Sequence, residues 1–260
     1  MRRLVRRFAL VGLLLAAAEV AWIWQLDHEV LGIPSRIEEV RARVTPHLQD
    51  ELRVMGFALG DPVFIRIFKE SRELELWMKP KGKTRFELWM RWPVAGLSGF
   101  LGPKLAEGDH QVPEGFYEVN AGALNPVSTC HLSFNTGFPN AFDQSLNRTG
   151  SWIMVHGGRG SVGCFAITDP VIEEVYVIAE AALKHGQQNF CVHSFPFRMT
   201  EERMAQAREE NSEWLPFWQN LREGYDRFEK THVPPQPAMG EGRYVFDGSN
   251  HNPTAPPSAD

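Results

Sequence analysis

HGGRGSVGC (residues 156–164) places a histidine, four glycines, a serine and a cysteine within nine positions. Two folds compete for this stretch. Gly158-Arg159-Gly160-Ser161-Val162-Gly163 matches the G-x-G-x-x-G string that cradles a dinucleotide pyrophosphate. His156 and Cys164, on either side of the same glycines, are the residue types of thiol catalysis. The phosphate reading requires the last glycine to open a helix, whose free N–H groups then face the anion. Here the strand-like run CFAI follows instead, and the next helix opens near Pro170, seven residues past Gly163. No acidic residue ends a second strand about 20 residues further on, as a ribose contact would need. The dinucleotide fold is excluded by context.

The thiol reading fits its surroundings. SWIMV (151–155) has strand character and delivers His156 at its end, the glycines reverse the chain, and Cys164 stands where it resumes. Glycines allow positive φ and close backbone approach, so the N–H groups of Gly163 and Cys164 are candidates for an oxyanion hole. An imidazole beside a thiol lowers its pKa below the free value of about 8.5. A metal site is not expected, since no C-x2-C or H-x3-H spacing accompanies the pair.

Working outward, residues 35–55 have helical spacing interrupted by Pro46, and from residue 63 the period changes to two. VFIRIFK, ELELWMK and RFELWMRW read as three successive strands. Residues 93–115, rich in Gly and Pro, read as a long excursion over the sheet. Short strands are expected at 115–119, 131–134 and 151–155. Asp169 is the expected cap of a helix with Pro170 in its first turn and Lys184-His185-Gly186 at its close. A strand at 189–195 and helices at 200–210 and 213–230 follow. The tail from Pro234 carries one strand-like piece, RYVF (243–246). Strands in the middle with helices gathered later indicate an α+β fold, or a small barrel or sandwich with helical additions.

The chain has 260 residues, 43% of them apolar, enough for a substantial core, with 17 Phe and 8 Trp. Its 27 basic and 32 acidic residues give a formal net charge of −5 and no basic stripe beyond the N-terminus, which excludes a nucleic-acid partner. MRRLVRRF carries four arginines and FALVGLLLAAA (8–18) is uncharged, the n-region and h-region of an export signal with Ala16-Ala17-Ala18 as cleavage site. A membrane tether would extend the run through Trp24, but Glu19 interrupts the roughly 20 apolar residues a span needs. Cleavage is therefore the favoured reading, and a periplasmic or otherwise exported location follows. Cys130, Cys164 and Cys191 leave one thiol over if two pair. Cys130 and Cys191 lie in strand-like apolar runs, where buried free cysteine is the ordinary expectation.

His156-Gly157 with Ser161-Val162-Gly163-Cys164 resembles the signature of the L,D-transpeptidase catalytic domain, the YkuD-type fold, and is nearer its YafK-type murein-enzyme branch. VFIRIFKE (63–70), LGPKLAEGD (101–109), PEGFY (113–117), HLSFNTGFPNAFD (131–143), HSFPFRMT (193–200) and WLPFWQNLREGYD (214–226) extend the resemblance. It implies a β-rich barrel or sandwich with a helix after the catalytic loop and C-terminal helices. The implied organisation is a signal or anchor at 1–30, a helical lead-in at 31–60, a catalytic domain at 61–232 and an extended tail at 233–260. Cys164 would be the nucleophile and His156 its base, and no cofactor is expected. Gly163, Ser161, Gly157 and His131 are the candidate oxyanion or substrate-binding residues, Ser161 by shaping the turn and His131 from the adjacent strand. Peptidoglycan stem peptides are the implied substrate, attacked at diaminopimelate, with a murein-bound outer-membrane lipoprotein as a further partner. Val162 stands where the wider family carries Arg or His, which favours hydrolytic release of that lipoprotein over cross-link formation. Two other classes compete: a non-catalytic wall-binding protein, and an exported redox thiol protein, which would want a C-x-x-C pair.

Overall fold

A computed structural model describes residues 34–246. The export signal or anchor at 1–30 and the last residues of the tail lie outside this range. The described residues up to Arg43 contribute only the opening turns of helix α1 (Arg36–Val54); the rest belong to one compact unit starting at Val44. Within that unit α1 buries Val44, Leu48 and Leu52, one face at four-residue spacing. The helix runs through Pro46 rather than breaking there, and Pro46 is exposed. The ring therefore falls on the solvent side of the helix.

The larger sheet has the order β3-β2-β1-β9-β4. Its strands are β1 (Val63–Phe68), β2 (Glu73–Met78), β3 (Glu87–Pro93), β4 (Gly115–Asn120) and β9 (Asn189–Phe195). β1 pairs antiparallel with β2 and parallel with β9, so the strand farthest along the chain is inserted between β1 and β4. β1 is buried along its whole length, Arg66 included. Arg66 meets Glu75 at 2.8 Å and Glu229 at 2.5 Å, and the faces of Trp77 and Phe228 flank its guanidinium. Glu75 also accepts from Trp77, Arg91 and Arg198. Burial pushes this carboxyl up, but the charges of Arg66 and Arg198 and the hydrogen bonds of Trp77 and Arg198 outweigh it and hold its pKa at about 2.

The smaller sheet, β5-β6-β7-β8, comprises Leu124–Asn125, Ser133–Asn135, Met154–His156 and Phe165–Ala166. Helix α3 (Asp169–Lys184) contacts β1 and β9 of the larger sheet and β6 and β7 of the smaller one. Its buried Ile172, Val175, Tyr176, Ile178, Ala179 and Ala182 make it the shared core of both layers. The architecture is the expected α+β sandwich, with a helix after the glycine loop and helices α4 (Glu201–Glu209) and α5 (Leu215–Thr231) towards the C-terminus. It is not a barrel: the two sheets stay separate and open.

α5 buries Trp218, Leu221, Tyr225 and Phe228 at helical spacing, and Tyr225 and Phe228 meet the rings of Phe68 and Phe64 on β1. β10 (Ala238–Met239) and β11 (Tyr244–Val245) form a small hairpin that buries Tyr244 and Phe246 against Phe116. One short helix, α2 (Ala141–Ser145), was not legible as such; an Asn140–Asp143 capping box starts it.

Candidate active site

The glycine loop joins the two neighbouring strands β7 and β8, which run parallel with Val155 opposite Phe165 and His156 opposite Ala166. Successive side chains on a strand alternate between faces. Cys164 stands one residue before β8, its sulfur against the backbone of Trp152 and Met154; the register puts Met154 and His156 on one face, while Val155 and Phe165 point into the core. Both of the latter are fully buried. β6 adds Ser133, opposite His156, to the same face.

His156 is buried, and its Nδ1 lies 2.6 Å from the Gly157 carbonyl oxygen. A carbonyl only accepts, so in the neutral ring Nδ1 carries the proton and Nε2 keeps its lone pair. That is the tautomer a general base needs. Gly157 thus acts through its backbone, its own N–H reaching the carbonyls of Cys130 and Leu132.

Cys164 is half-buried. Its thiol lies 3.4 Å from the Trp152 carbonyl, to which it donates, and accepts from the Met154 N–H at 3.4 Å. Among the described residues no hydrogen bond joins it to the His156 ring. Burial pushes the thiol pKa up, the Met154 N–H pulls the other way, and the net direction is upward. That direction is opposite to the lowering the sequence reading expected. An imidazole lowers a thiol pKa only when it is charged or bonded to the sulfur, and here the sulfur faces backbone.

The two expected oxyanion donors are engaged. Gly163, at φ 91° and so in a region that favours glycine, donates its N–H to Ser98 Oγ at 2.6 Å. Cys164 donates its N–H to Ser161 Oγ at 3.0 Å, and the Ser161 hydroxyl returns a bond to the Cys164 carbonyl. Ser161 therefore closes the turn. Ser98 belongs to the segment between β3 and β4 and carries no local signal in the sequence. Only the return of that segment over the loop reveals it. Gly96 in the same segment exchanges backbone hydrogen bonds with Ala166, and a Cβ there would stand 2.2 Å from the Arg159 carbonyl oxygen. No other residue fits.

Asp169 also differs from expectation. The helix cap position is Thr168, without a side-chain cap bond, while the Asp169 carboxylate accepts the Gly158 N–H at 2.7 Å and so ties the glycine loop to α3. His131 precedes β6 and lies beside Gly157, with its Nε2 2.7 Å from Glu173 on α3. Cys130 is exposed rather than buried, because it lies in a loop and not in the strand its apolar neighbours implied. Cys191 on β9 is buried, and all three cysteines are free thiols. Trp152 is exposed at 73% and holds φ 57°, an uncommon conformation for a bulky residue, immediately beside the thiol. Among the described residues no cluster of His, Cys, Asp and Glu is arranged to hold a metal ion.

No family model matches the chain. Over 187 residues it is 41% identical to the "Putative L,D-transpeptidase YafK" of Escherichia coli strain K12, covering 72% of this chain and 74% of that protein. The protein of the same description from E. coli O157:H7 matches to the same extent. Among solved structures, the helical cell shape determining protein Pgp2 from Campylobacter jejuni aligns with a TM-score of 0.39 and 17% identity, over 74% of this chain and 80% of that one. Bdellovibrio bacteriovorus Bd1075 aligns with a TM-score of 0.36 and 23% identity, over 64% and 60%. With 41% identity over 72% of its length to a protein of that description, the chain belongs to the L,D-transpeptidase family.

Proposed function

We propose that this protein is an exported, cysteine-dependent peptidoglycan-modifying enzyme that acts at diaminopimelate of stem peptides and releases a murein-bound lipoprotein by hydrolysis. The observation that carries the reading is the placement of His156 and Cys164 at the two ends of one glycine loop between the paired strands β7 and β8, with the imidazole held in its basic tautomer by Gly157. As the Cys164 sulfur attacks the carbonyl carbon, the thiol proton passes to His156 Nε2 and a C–S bond forms. The tetrahedral adduct collapses with cleavage of the C–N bond, and the imidazolium returns its proton to the leaving amine. Water then adds to the thioester, His156 takes a proton from it, and the C–S bond breaks to free the carboxylate and the thiol.

Hydrolysis is favoured over transfer to an amine because the thiol is half-exposed and so within reach of water, and because Val162 replaces the basic residue of the cross-linking pattern. The test uses lipoprotein-bearing sacculi and mass spectrometry of the released muropeptides. The expected result is loss of bound lipoprotein with no new cross-linked dimers. New dimers with the lipoprotein retained would assign the protein to transpeptidation instead.

A further inference from the structure

Two backbone N–H groups flank the nucleophilic sulfur, and both are saturated by serine hydroxyls. The Ser161 bond is internal to the turn and is matched by a return bond to the Cys164 carbonyl, so it cannot open without unwinding the turn. The Ser98 bond is of another kind. It comes from a separate segment, and it places a hydroxyl oxygen 2.6 Å from the Gly163 N–H, where an oxyanion would sit. The Ser98 hydroxyl proton is itself directed away, to the His110 carbonyl at 2.7 Å. Ser98 therefore presents a lone pair to the donor and no proton to a substrate oxygen.

The segment carrying Ser98 is built to hold it there. Gly96 is paired to Ala166 on one side of Ser98. On the other, Gln111 bridges the Phe100 N–H and the Gly102 carbonyl at 2.8 Å each. Lys104 reaches Asp109 at 2.5 Å, and Asp109 accepts the N–H groups of Leu105, Ala106 and Gln111.

We propose that Ser98 is a hydroxyl plug on the oxyanion donor of Gly163, displaced by the substrate carbonyl oxygen. This makes Ser98 a positioning residue that sets how readily the site accepts an acyl group, and it rests on Cys164 being the nucleophile. Alkylation and acylation of the same sulfur separate the two ideas, because displacement at iodoacetamide generates no oxyanion whereas attack on an ester does. The rates are measured at Cys164 by peptide mass spectrometry on the full chain in a Cys130→Ser background, with iodoacetamide and with p-nitrophenyl acetate as probes.

In Ser98→Ala the acylation rate should rise about tenfold, the scale of one neutral hydrogen bond, while alkylation stays within about twofold of the parent. Ser98→Thr, which restores a hydroxyl, should return the acylation rate towards the parent. Acylation and alkylation changing in the same ratio, or acylation slowing in Ser98→Ala, would overturn the plug while leaving the nucleophile intact. Absence of acylation at Cys164 in parent and variant alike, with alkylation retained, would overturn the nucleophile and the plug together.

Discussion

Lys69→Met is expected to cost far more than a surface lysine would, because the segment over the active site hangs on a buried ion pair. Lys69 Nζ lies 2.9 Å from Glu114, and both side chains are at most 1% exposed. The same ammonium donates to the carbonyls of Gly102 at 2.7 Å and Val112 at 3.2 Å, one in the middle and one near the C-terminal end of the segment that carries Ser98. Burial lowers the Lys69 pKa, against the pull of Glu114. Methionine fills the volume but leaves Glu114 with only the N–H groups of Gly102 and Trp218. An uncompensated buried carboxylate of this kind costs about 3–5 kcal/mol. At roughly 2–4 °C per kcal/mol for a domain of this size, Tm should fall by about 6–20 °C. Adding Glu114→Gln removes the stranded charge and should recover about half of the loss, since the amide nitrogen must then face one of those two donors. Urea unfolding followed by tryptophan fluorescence measures both variants. A loss below about 1 kcal/mol in Lys69→Met, or a double variant weaker than the single one, would refute the reasoning.

Cys164→Ala should abolish lipoprotein release from sacculi while leaving Tm within about 2 °C, since a half-buried thiol contributes chemistry and little core volume; comparable turnover would end the nucleophile assignment. Alkylation of Cys164 by iodoacetamide should rise with pH through a midpoint above that of an ordinary thiol, because burial disfavours the thiolate. His156→Gln should leave that profile nearly unchanged yet abolish acyl transfer, and a profile centred near neutral pH in the parent would show a resting thiolate–imidazolium pair instead. Glu75, held at about 2 when folded and near 4.5 when unfolded, contributes stability that is present above pH 4.5 and lost as pH falls towards 2. Thermal unfolding between those pH values should therefore show a loss of up to about 3 kcal/mol that Glu75→Gln largely removes.

Periodicity and local chemistry were enough for most of the frame. The alternation in VFIRIF, ELELWM and ELWMRWP names β1–β3, and Pro170 with the Lys184-His185-Gly186 close marks α3, because strand and helix signals act within a few residues. The glycine loop could be separated from a phosphate cradle for the same reason, as its neighbours are strands on both sides. Where the sequence misled or was silent, the deciding partner lay far along the chain. Arg66 is enclosed by Glu75 and Glu229, a pairing that no local signal announces, and Pro46 reads as a break until its exposed face shows that no packing is disturbed. Asp169 looks like a cap but is drawn to Gly158, eleven residues back, once β7 and β8 pair. Ser98 has no signal of its own. Its bond to Gly163 spans 65 positions and exists only after the segment between β3 and β4 has folded back across the site. Local rules determine which elements form; burial and the satisfaction of polar groups by distant partners, which only the packed chain supplies, determine the protonation and the occupancy of the site.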